Sequence, residues 1–244
     1  MAATTVGVLA VLFLSTVLRG MIGFGNAVVA MPLLALLVGV RSATPLVALA
    51  ALTIGSLILF DSWRSVHVRS AWQLLASSFV GIPIGLFLLK RVNEGAMQCG
   101  LGVLLLGFAV HKLSKPQLLR LHVRCPIYIF GFVAGVLGGA YNTNGPPIVV
   151  YAALRGWPPA KFRATLQGYF LASGLAIVIG HGLTGLWTPV VMRLFVWSLP
   201  LLWLGVKVGG WLHARTSEAR FKRLVYLFLA VMGVLLMARP LLPH

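Results

Sequence analysis

Two apolar tracts in this chain are each too long to be one bilayer crossing, and similar residues interrupt both. Residues 4–40 would make a single helix about 55 Å long, against a hydrocarbon core of about 30 Å. The tract must therefore fold back, and the break falls at 20–26, in Gly20-Met-Ile-Gly-Phe-Gly-Asn-Ala-Val-Val-Ala-Met-Pro32. Residues 123–154 must fold back in the same way around 138–147, in Gly135-Val-Leu-Gly-Gly-Ala-Tyr-Asn-Thr-Asn-Gly-Pro-Pro147. Gly20, Gly23 and Pro32 recur as Gly135, Gly138 and Pro147, a spacing of 115. Glycine, asparagine and proline at lipid depth interrupt helices and expose backbone groups that hydrocarbon cannot satisfy. Each tract is expected to form a helix–break–helix hairpin with arms of about 10–16 residues, roughly 15–24 Å.

Composition gives the broad class. The chain is 59% hydrophobic and 9% charged over 244 residues, where a soluble domain carries about a quarter charged residues. A multi-pass membrane protein is expected, with the bilayer as its main partner. Twenty Lys and Arg against three acids would suggest nucleic acid in a soluble chain. Here they cluster in short loops and act as topology anchors, so no nucleic-acid partner is expected. Cys99 and Cys125 have no CxxC or Cys/His spacing, so neither a metal site nor a disulfide framework is indicated. No cofactor is implied. The first apolar segment lacks a basic n-region and a small-residue cleavage site, and reads as a retained membrane segment.

Full crossings are expected at 43–60, 70–89, 96–113, 160–181, 188–212 and 221–240. A second matched block supports duplication: Gly81, Gly85, Arg91 and Glu94 correspond to Gly205, Gly209, Arg215 and Glu218 at a spacing of 124. The change from 115 to 124 implies about nine extra residues in the second half. The expected fold is an all-α membrane protein of two repeats in one integral unit. Residues 1–118 hold hairpin 4–40 and three transmembrane helices, and residues 119–244 hold hairpin 123–155 and three more. If each hairpin enters and returns, a repeat has an odd number of passes and the halves are inverted. Loops at 64–69, 112–124, 155–163 and 215–223 then carry thirteen basic residues on one side. Arg41, Lys90, Arg91 and Arg239 make four on the other. Treating each broken tract as one crossing splits the same residues ten against seven, so the positive-inside rule favours inverted repeats with both termini periplasmic.

Paired breaks at matching places in two halves are the best sequence pointer to a transporter's binding site. In the second break, Asn142, Thr143, Asn144 and Gly145 offer amide, hydroxyl and backbone groups, and Pro146 and Pro147 suit the first turn of a helix. In the first, Gly25 and Asn26 open helix 27–40. Two helix N-termini aimed at one point would hold a small anion. Arg19 beside the first break and Lys207 within the apolar run 194–212 could neutralise it, because an unpaired buried cation is costly. Alternatively Arg19 snorkels to water and Lys207 bonds carbonyl groups. Arg163 and Gln167 share one face of the helix after the second hairpin, where they latch the hairpin or touch substrate. An enzyme is not expected: the chain has one Asp, and no Gly-x-Ser-x-Gly elbow or His-Glu-x-x-His helix.

These breaks, together with Gly145-Pro146-Pro147-Ile-Val-Val-Tyr151 and Arg163-Ala-Thr165, resemble the sulfite exporter TauE/SafE family, also called the four-toluene-sulfonate uptake permease family. The resemblance covers essentially the whole chain. It implies a secondary carrier of small anions, often sulfite or organosulfonates, in the bacterial inner membrane. Carried over, Gly23, Gly25 and Asn26 match the first family motif, and Asn142 to Pro147 the second. Phe24 separates Gly23 from Gly25, and Ala140-Tyr141-Asn142 stands where many members have more glycine. The expected function is export of sulfite or an organosulfonate bound between the breaks, the alternative being an anion channel or facilitator for small oxyanions and carboxylates. The coupling ion, sodium or a proton, stays open, as does a homodimer.

Overall fold

The structure is a computed structural model that describes residues 2–22, 26–62, 68–114, 127–155, 159–213 and 218–241. These residues form helices joined by short connections, with no strand among them. In chain order they are α1 (Ala2–Ile22), α2 (Asn26–Val38), α3 (Val40–Ser62), α4 (Val68–Arg91), α5 (Glu94–Leu113), α6 (Ile127–Tyr141), α7 (Gly145–Leu154), α8 (Pro159–Leu183), α9 (Pro189–His213) and α10 (Glu218–Ala238), closed by a 3₁₀ turn at Arg239–Leu241. Ala3–Met21, Val40–Leu57, Trp72–Arg91, Glu94–His111 and Pro189–Leu212 are long and apolar enough to cross a bilayer. The apolar parts of α8 and α10 are shorter, Gly168–Leu183 and Val225–Ala238. Their first turns carry Lys161 and Arg163, and Arg220, Lys222 and Arg223.

Both long tracts are broken where glycine, asparagine and proline cluster: α1 stops at Ile22 and α2 starts at Asn26, and α6 stops at Tyr141 and α7 at Gly145 resumes. The first arm is longer than the sequence suggests. With 21 residues, α1 is a full span, because nothing before Gly20 interrupts it. It still returns as a hairpin: a side chain placed on Gly7, near the start of α1, would touch Leu37 near the end of α2 at 3.6 Å.

Small residues set the packing. α1 lies on α9 with Gly20 against Gly209, where an added Cβ would come within 2.9 Å of the facing Cα. α4 lies on α6 with Gly85 against Gly139, at 3.0 Å by the same measure. Backbones this close leave no room for side chains, the small-residue packing common between membrane helices. α5 packs on α10 and α3 on α8, while α9 also meets α3 and α4 also meets α8.

The spacing of helix boundaries differs from the spacing of the matched motifs. Equivalent boundaries fall 119 apart: Ile22 and Tyr141 end α1 and α6, Asn26 and Gly145 start α2 and α7, and Val40 and Pro159 start α3 and α8. Gly20 therefore corresponds in packing to Gly139, one helical turn beyond Gly135. Pro32 lies inside α2, whereas Pro147 is in the first turn of α7, so these two prolines are not counterparts. A glycine-lined face repeats every turn, and sliding it by four residues leaves the face aligned. The later spacing of 124 holds, with α5 and α10 starting at Glu94 and Glu218. Between those two sets of boundaries the offset grows by five residues.

Candidate substrate site

The second break is built by ending α6 in a left-handed residue. Asn142 has φ of 51°, which asparagine tolerates better than most side chains. Its N–H donates to the Gly138 carbonyl at 2.8 Å, and the Thr143 N–H donates to Leu137 at 3.2 Å. These bonds close the helix in the manner of an αL cap. The last carbonyl groups of α6 find side-chain donors. The Thr143 hydroxyl donates to Tyr141 at 3.0 Å and the Thr44 hydroxyl to Ala140 at 3.4 Å. His181 Nε2 lies 3.4 Å from the Gly139 oxygen. Asn144 then turns into α7, its Nδ2 donating to Ser173 Oγ on α8 at 3.0 Å, while Ser173 donates to the Tyr169 carbonyl at 2.7 Å. Asn142, Thr143 and Asn144 are all buried.

Across from this break, Arg19 occupies the last turn of α1, where the helix dipole favours a cation. It is buried, at 7% exposure. Nη1 donates to the Ala51 carbonyl on α3 at 3.1 Å, and Nε has no hydrogen-bond partner among the described residues. Gly55 makes room for the guanidinium: a Cβ there would stand 3.2 Å from Nη2. Asn26, at the start of α2, is 1% exposed, and neither atom of its amide is paired among the described residues.

A single cavity of about 110 Å³ joins these groups. Arg19, Asn26, Asn142, Thr143, Asn144 and Gly145 line it, and Ala48, Ala51, Leu52, Phe108, Val149, Phe170, Tyr226 and Leu229 supply most of its apolar wall. One cation, amide groups and a hydrocarbon wall make a place for a small solute with a negative end. Among the described residues, no aspartate or glutamate lines it.

The model of the sulfite exporter TauE/SafE family matches residues 8–236. The chain belongs to the sulfite exporter TauE/SafE family. Neither the curated proteins nor the solved structures compared with it give a match. The TauE/SafE family is a family of membrane transporters of sulfite and sulfonates, so the chain is a multi-pass transport protein and not an enzyme.

Within this TauE/SafE fold, Arg19, Asn26, Asn142, Thr143, Asn144 and Gly145 come together at one cavity. Lys207 does not. It is exposed on α9, with Nζ 5.9 Å from the centre of the Trp203 ring. The reason is helical phase: α9 buries Leu202, Gly205 and Gly209 against α1. Lys207, two residues from Gly205, points to the opposite face. Gly23 and Gly25 lie outside the described residues, as do the side chains of Arg163 and Gln167 on α8. Sequence reading missed Ser173, which orients Asn144, and Gly55, which admits Arg19. A serine within an apolar span needs a partner, and that signal was available for Ser173.

Proposed function

We propose that this TauE/SafE protein is a secondary carrier that exports a small anion, sulfite or an organosulfonate, bound between the two helix breaks. The observation that carries the reading is the pair Arg19 and Asn26: both are buried, both keep polar atoms without partners among the described residues, and both face one cavity. Orphaned polar atoms are costly in a dry interior, and a sulfonate or sulfite oxygen would accept from Arg19 Nε and Asn26 Nδ2. Arg19 supplies the positive charge. Asn26, the α2 backbone N–H groups, Asn142, Thr143, Asn144 and Gly145 complete the polar shell.

The same proposal takes the two halves as inverted repeats. The packing partners exchange between halves, α1 on α9 and α6 on α4, and in that arrangement thirteen of the basic residues fall on one side. Both termini then face the periplasm of a bacterial inner membrane, and the substrate site lies at the repeat interface. Coupling to sodium or a proton, and assembly as a homodimer, belong to the same proposal without a residue assigned to either.

The test is a calorimetric or thermal-shift screen of the purified protein with sulfite, thiosulfate, sulfoacetate, taurine and small carboxylates. Saturable binding of a sulfur oxyanion or sulfonate that Asn26→Leu abolishes is the expected result. No binding by any anion removes the proposal. Counterflow in vesicles separates the carrier from an anion channel, which would pass current linearly.

A further inference from the structure

The cavity is not centred along the helices. It meets α5 at Phe108, in its C-terminal part, and α10 at Val225, Tyr226 and Leu229, in its N-terminal half. These positions share a side because the two helices run antiparallel: Phe108 stacks on Tyr226 edge to face at 6.0 Å. At their other ends, Gly95 lies against Pro240.

That far end is held shut by a knot of charged residues. α2 stops at Val38 and α3 starts at Val40, with Gly39 between them at φ of 78°. The Val40 N–H, at the positive end of α3, donates to Glu94 Oε1 at the start of α5. Gln98 Nε2 approaches the same oxygen at 3.4 Å, and Asn93 caps α5 by accepting from the Ala96 N–H at 2.7 Å. Arg41 Nη2 donates to the Lys90 and Val92 carbonyl groups at 3.1 and 3.0 Å. Arg239 Nη1 donates to the Leu36 carbonyl, in the last turn of α2, at 2.7 Å. Three charged side chains thus fasten the α2–α3 joint to the α4–α5 joint and to the C-terminal turn.

We propose that Glu94 is the latch of a gate on the route between this end of the helices and the cavity, and that its release lets the α2–α3 joint swing away from α5. The site takes no solute itself. It deepens the carrier reading by naming what holds one of the two access states, and rests on that reading only for the cavity's role. The sequence adds an asymmetry. The chain has two glutamates, Glu94 and Glu218, and they begin the repeat-related helices α5 and α10. Val40, whose N–H closes the latch, has Pro159 as its counterpart at the start of α8. Proline has no N–H to donate, so the start of α8 offers no backbone donor like that of Val40.

The experiment reads access to the cavity, so its failure is distinguishable from a failure of anion binding. Ala51→Cys, on the cavity wall, serves as reporter in the full chain carrying Cys99→Ala and Cys125→Ala. A membrane-impermeant maleimide is applied to right-side-out and to inside-out vesicles. With Glu94 intact, the reporter reacts from one side. Glu94→Ala is expected to raise its rate from the other side about tenfold or more, the change that follows loss of one charge-assisted bond. Glu94→Gln, which keeps the acceptor oxygen without the charge, should fall between. If Glu94→Ala does not fold, Gly39→Ala replaces it: the left-handed φ and a Cβ 3.0 Å from Oε1 force the joint away from Glu94. Labelling rates within about twofold of the parent from both sides, in whichever of these variants folds, overturn the proposal.

Discussion

Replacing Arg19 by methionine isolates the charge of the proposed site. The side chain is similar in length and apolar, so the α1 packing is kept while the guanidinium is lost. One of its donors is already committed, Nη1 to the Ala51 carbonyl at 3.1 Å. Nε has no partner among the described residues, and the cavity reaches the residue. At least one charge-assisted bond to a bound anion is therefore at stake, worth about 1.5–3 kcal/mol. That converts to a dissociation constant roughly 10- to 150-fold weaker. Stability should move the other way or not at all, because the variant no longer buries a cation that meets no acid among the described residues of its cavity. Titration calorimetry on detergent-purified protein, with a melting curve on the same sample, reads both quantities. An anion that binds Arg19→Met within about twofold of the parent would refute the reasoning. A collapse in melting temperature would instead show that the Ala51 bond is structural.

Ser173→Ala should free Asn144 and weaken anion binding by several fold, as one neutral hydrogen bond of about 1 kcal/mol allows; calorimetry checks it, and unchanged affinity would show that Asn144 needs no such hold. Gly85→Val places a branched side chain against the Gly139 backbone and should destabilise the α4–α6 pair by at least about 1–3 kcal/mol, read as a lower melting temperature in detergent. Lys207→Met should leave the dissociation constant unchanged within about twofold, since Lys207 is exposed beside Trp203. Reporter tags at either terminus should respond as periplasmic, and cytoplasmic exposure would refute the inverted arrangement.

The breaks were legible because chain length at 1.5 Å per residue exceeds what a bilayer can hold. No alternative to folding back exists for residues 4–40 or 123–154, and the interruptions at 22–26 and 141–145 follow. The polar cluster at Asn142, Thr143 and Asn144 was legible for a related reason: such groups at membrane depth need partners. Register was not. Gly135 and Gly139 lie on one face of α6, against α4, and periodicity alone cannot tell which of them meets Gly85. The side on which Lys207 lies was not legible either, because an apolar run reveals depth along a helix but not the side that faces its neighbours. Nor could sequence find the Glu94 contact, which joins residues 54 apart through one backbone N–H.

The glycine seams bear on how such a molecule can move. Where α1 meets α9 and α4 meets α6, main chain touches main chain, so no rotamers lie between them to rearrange and absorb a slide. Each pair is in effect welded into a plate. Motion is then left to the short arms α2 and α7, each anchored beside its plate by a break of three residues. On the proposed carrier reading, the two brief helices are the parts left free to turn against these plates.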